Sequence, residues 1–92
     1  MNDAPLLRVI TGYQRRLESW AAAAEKLARI TVDTERVRQL RDGARLARSS
    51  VKMSRANVDA GRLSLAARDV RRDAGELKWS LLATVTPAVS VE

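Results

Sequence analysis

Apolar residues recur along most of the chain at alternating spacings of three and four, the period of an α-helix with one buried face. Leu6, Ile10, Tyr13, Leu17, Trp20, Ala24 and Leu27 keep that rhythm without interruption, which predicts a first helix over about residues 4–30. Asp3 stands where an N-cap is wanted, and Pro5 falls in the first turn, where its missing N–H leaves no gap in the ladder. The rhythm then fails across Ile30-Thr31-Val32-Asp33-Thr34, where β-branched residues cluster and Asp and Thr prefer caps. Asp33 reads as the N-cap of a second helix. Val32 and Val37 occupy the two positions of a hydrophobic staple, and Glu35 puts a negative charge in the first turn, where it is favoured.

That second helix, over about residues 34–56, carries Val37, Leu40, Ala44, Ala47, Val51, Ser54 and Val58 as its seam. Before the seam ends, another stripe begins on a different face: Met53, Ala56, Ala60, Leu63, Ala67, Val70, Ala74, Leu77 and Leu81. Asn57, Asp59 and Gly61 weaken the helical signal at the overlap. A turn there gives a third helix over about residues 62–83; without it, one long helix shows different faces to different neighbours. The turn is preferred. From Thr84 onward β-branched residues and Pro87 predict an extended C-terminal tail, residues 84–92. The expected fold is therefore all-α: a three-helix antiparallel bundle formed by residues 1–83, with the tail attached. The alternative is a long helical hairpin that dimerises.

Composition sharpens this picture. Ninety-two residues make one domain with a modest core. Alanine supplies 15 of the 42 apolar residues, so helices can approach closely while each contact buries little area. Self-association or an obligate partner would add the missing stability. The absence of Cys and His removes disulfides, the usual zinc sites, thiol nucleophiles and histidine bases. The four glycines are isolated, so there is no phosphate-cradling loop, and no base stands beside any of the seven serines. Asp69, Asp73 and Glu76 could hold a hard cation, but Arg68, Arg71 and Arg72 interleave with them and make an ion-pair network the simpler reading. The expectation is a chain that is no enzyme and takes no cofactor or metal. Its longest uncharged stretch, Trp79 to Val91, is too short to span a bilayer, and its first residues lack a secretory pattern. A soluble cytoplasmic protein, or one within a macromolecular assembly, is expected, with no membrane partner.

The charge is where the sequence says most. Between Arg36 and Arg62 eight cations meet Asp42 and Asp59, and this segment holds the chain's whole net charge of +6, because nine cations and nine anions cancel elsewhere. Arg38, Arg41, Arg45, Arg48, Lys52 and Arg55 form one row beside the second helix's seam, and the sequence reads their neighbours as uncharged. Like charges at these spacings repel, so an anionic complement is expected. Three sources compete. The chain's own acids could supply it, with Asp69, Asp73 and Glu76 as the candidates. An acidic protein surface could take the guanidinium forks, and this reading is preferred. A nucleic-acid backbone could be tracked by the same row.

The run from Leu46 to Val58 has the flavour of a helix-turn-helix, but the position where that motif turns on Gly holds Val51, and its later buried Val is one residue late. Trp79 lies off the third stripe and pairs by spacing with Leu82, a second apolar patch that reads as bundle core or as an oligomer or partner contact. Val85 and Val89 in the tail could extend it by strand pairing. The function expected is a small non-enzymatic binding protein, a regulatory inhibitor or assembly adaptor of the kind phages encode, with nucleic-acid binding as the alternative.

Overall fold

The computed structural model describes the backbone from Asp3 to Val85 and the side chains from Asp3 to Leu77. It is a helical bundle of three elements, α1 (Ala4–Ile30), α2 (Thr34–Asp59) and α3 (Leu63–Val85), each touching the other two, with no strand among the described residues. Ile10, Leu17, Leu40, Val51 and Val70 are its larger buried residues, and seven alanines (Ala21, Ala24, Ala28, Ala44, Ala47, Ala66 and Ala74) fill the rest of the interior. Tyr13, Trp20, Leu27, Val37 and Leu77 close over this core from its edges.

Cross-helix pairs show how neighbours run. As α2 advances from Arg48 to Arg55, its partner on α1 retreats from Glu25 to Glu18. As α2 advances from Gly43 to Ser50, its partner on α3 retreats from Leu77 to Asp73. Two polar residues share the core and are satisfied there. Ser54 donates to the carbonyl of Val51 (2.8 Å) and accepts from the Gln14 amide of α1 (2.7 Å). Ser50 donates to Asp73 Oδ2 of α3 at 2.7 Å. Among the described residues no buried side-chain N or O lacks a partner.

The ends of the elements follow local chemistry. Asp33 caps α2 as expected, its Oδ1 accepting from the N–H groups of Glu35 (2.9 Å) and Arg36 (3.3 Å). Asp3 does not cap α1 through its side chain: its backbone is already helical, and its carbonyl accepts from Leu7. The Val32–Val37 staple does not form either, since Val32 is 95 % exposed. The break between α2 and α3 falls at Ala60–Arg62, later than the composition implied. Gly61 takes φ +78°, Arg62 N–H bonds to Asn57 O and Gly61 N–H to Val58 O. This is a Schellman stop, which needs a left-handed residue and has Gly there. The single long helix is thereby excluded, and so is the helix-turn-helix, because α2 runs unbroken through Val51. α3 continues to Val85, two residues into the expected tail; residues 86–92 lie outside the described residues.

Three members of the third stripe are misplaced by the sequence pattern. Met53, Ala56 and Ala60 belong to α2 and its stop and are exposed, while Leu63, Ala67, Val70, Ala74 and Leu77 are buried or half-buried on α3.

Truncating Leu17 to Ala should cost about 2–5 kcal/mol, the range for emptying a buried leucine site. Gly61→Ala should cost about 1–2 kcal/mol, for the left-handed backbone, and Val32→Ala should stay within about 0.5 kcal/mol. Urea unfolding of the three variants checks this order.

Candidate functional site

The cation row lies along α2 on the edge facing α1. All six of its side chains are exposed at their residues, which is what the one-residue offset from the buried seam requires. Their neighbours, however, are not uncharged. Arg38 pairs with Glu35 one turn before it and reaches Asp42 at 3.7 Å. Arg45 shares Asp42 at 3.0 Å. Arg48 makes a two-pronged contact with Glu25 of α1, Nε to Oε2 at 3.1 Å and Nη2 to Oε1 at 2.7 Å. Arg55 reaches Glu18 of α1 at 3.3 Å. Arg41 and Lys52 make no ion pair among the described residues.

The complement expected from Asp69, Asp73 and Glu76 therefore comes from elsewhere. Those acids sit on α3, on the other flank of α2. Asp69 pairs with Arg68 (3.1 Å) and Arg72 (3.4 Å), and Asp73 pairs with Arg72 (3.2 Å) while accepting from Ser50. Asp69 and Asp73 form the expected local ion-pair network with Arg68 and Arg72, while Glu76 makes no ion pair among the described residues. Glu18 and Glu25 were the residues the sequence hid. Their spacing of seven matches that of Arg48 and Arg55, but the match has meaning only once α1 and α2 are known to face each other.

The pairing shows in proton affinities. The guanidinium of Arg48, hydrogen-bonded to Glu25, holds that carboxyl below the ordinary glutamate range, against a smaller opposing effect of burial. Arg38 does the same for Glu35. The two arginines are pushed up in turn, Arg38 by Glu35 and Arg48 by Glu25. A carboxyl depressed on folding stabilises the fold above its unfolded pKa, and that contribution fades as pH falls through the folded value.

On the opposite flank α2 and α3 leave an open groove of about 480 Å³, lined among others by Leu46, Ser49, Met53, Asp73, Glu76 and Leu77. Trp79 and Leu82, which read as bundle core or as an oligomer or partner contact, and Val85, which could extend that patch, have their backbone in α3, but their side chains lie outside the described residues, as does Val89 altogether. Among the described residues no three His, Cys, Asp or Glu side chains are grouped to hold a metal, and no helix is long and apolar enough to cross a membrane.

Comparison with known protein families, curated proteins and solved structures finds no match for this chain.

In an NMR titration the Glu25 carboxyl should titrate below the ordinary glutamate midpoint, and Arg48→Ala should raise it while leaving Glu35 low. An unshifted Glu25 in the parent chain would contradict the pair.

Proposed function

We propose that this chain is a small non-enzymatic binding protein that docks the α2–α1 edge on an acidic protein surface, as an inhibitor or an assembly adaptor. The observation that carries the reading is the sign pattern of that edge. Along it Arg41 and Lys52 stand without an ion-pair partner among the described residues, between forks already aligned on Glu18, Glu25 and Asp42. Aligned guanidinium groups with exposed faces can accept further carboxylates with little extra ordering.

The same pattern argues for protein over nucleic acid. A phosphate backbone presents uniform negative charge and favours a uniformly positive track. Here two glutamates of α1 interrupt the positive edge within bonding distance of Arg48 and Arg55. A protein surface of mixed sign can match such an alternation, whereas a polyanion meets repulsion at each glutamate.

The test uses Arg41→Glu combined with Lys52→Glu, which leaves every ion pair above intact. The parent chain should recover an acidic protein from its native cell extract whether or not nuclease is added. The double variant should lose it while keeping the parent's helical circular dichroism. Recovery that disappears with nuclease, or that survives the double reversal, overturns the reading.

A further inference from the structure

The outer face of α2 carries an apolar seam that the bundle does not use. Leu46 and Met53 are 61 % and 60 % exposed, and with the exposed Ser49 and Ala56 they repeat at spacings of three, four and three. The seam continues to Ala60, about 21 Å from Leu46 at 1.5 Å per residue. Its Met53, Ala56 and Ala60 are the first part of the stripe that the sequence pattern assigned to a third-helix core. Beside it opens the α2–α3 groove, whose apolar side is Leu46, Met53 and Leu77 and whose far wall bears Asp69, Asp73 and Glu76 with Arg72. That wall is net negative in a chain of net charge +6.

The occupant of this face is constrained by both features. It must be a helix with small and apolar residues at three–four spacing, and it must carry cations along the edge that meets the acidic wall. The outer face of α2 itself meets both conditions. Arg45 and Lys52 precede Leu46 and Met53 by one residue, a step of about 100° round the helix, on the side away from α3. We propose that a second copy of this chain covers the seam, α2 against α2 in parallel about a two-fold axis running along the helices.

The direction follows from charge. In a parallel pair the α3 side of one α2 meets the Arg45 side of the other. In an antiparallel pair acid wall would meet acid wall and cation edge would meet cation edge. The levels also agree. Leu77 packs over Gly43 and Asp73 bonds to Ser50, so Glu76 lies at the height of Arg45. Glu76 makes no ion pair among the described residues, and the second copy's Arg45 supplies one. Ser49 and Ala56, being small, permit the close approach that parallel helices need. The repulsion between two +6 chains is screened beyond about 8 Å at physiological salt.

Sedimentation of the purified chain tests this without reference to any other partner. The parent should sediment at twice its 10.2 kDa at micromolar concentration, and Leu46→Glu with Met53→Glu should sediment as a folded monomer. Because the chain has no cysteine, single thiols report the direction cleanly. Met53→Cys should oxidise to a self-linked dimer, and Glu76→Arg should weaken dimerisation at least tenfold. A monomeric parent at 100-fold higher concentration overturns the proposal, as does a dimer that survives the double glutamate change. If Met53→Cys fails to self-link but links to Leu46→Cys in a mixture of the two, the parallel pairing is wrong.

Discussion

Everything in this bundle depends on alanine as its main interior residue. With Ala21, Ala24 and Ala28 of α1 facing Ala44 and Ala47 of α2, and Ala66 and Ala74 on α3, the interior is thin. Close packing of small side chains gives good contact but little apolar area per residue, and area removed from water sets most of the favourable energy of folding. Such a core needs help from its edges. Tyr13, Trp20, Leu27 and Leu77 provide some of it by closing over the alanines. Polar links between the helices add to it.

The polar links are placed accordingly. A thin interior lets the flanks of α1 and α2 come close enough for Glu18 and Glu25 to meet Arg55 and Arg48 across the interface. Single exposed pairs contribute little, but here they also relieve the mutual repulsion of a cation row that would otherwise oppose α2. Inside, Ser54 and Ser50 tie α2 to α1 and to α3 through Gln14 and Asp73. These bonds are directional, and they fix a register that alanine, lacking shape, specifies poorly. The chain thus combines shapeless alanine packing with directional contacts, two of them made by buried serines and the rest at the rim.

The seams of α1 and α2 are legible because helical periodicity is local, and every residue in them is buried or half-buried. Asp33 was legible as a cap because capping is local chemistry. The stripe through Met53, Ala56 and Ala60 misled for the opposite reason. Periodicity reports that a face is apolar, not which neighbour covers it, and here Met53, Ala56 and Ala60 are exposed. The stop at Gly61 had to be chosen over a continuous helix, since the sequence supports both until the left-handed residue is seen. The row from Arg38 to Arg55 is legible as a line along one helix because its spacing is local, but it is not free of acidic neighbours as the sequence suggests. Its local acids are Glu35 and Asp42, and its distant ones, Glu18 and Glu25, belong to another helix. Charge complementarity across an interface becomes readable only after the interface is known.

The central claim is that α1 holds part of the α2 cation row, leaving a defined remainder to face outward. A charge exchange between the two helices tests it most directly. Thermal melting of Glu25→Arg, of Arg48→Glu and of the two combined should show each single reversal lowering the melting temperature, and the exchanged pair should recover most of the loss. If the combined variant melts no higher than the weaker single variant, the two side chains are not paired across the bundle and the account of the row fails.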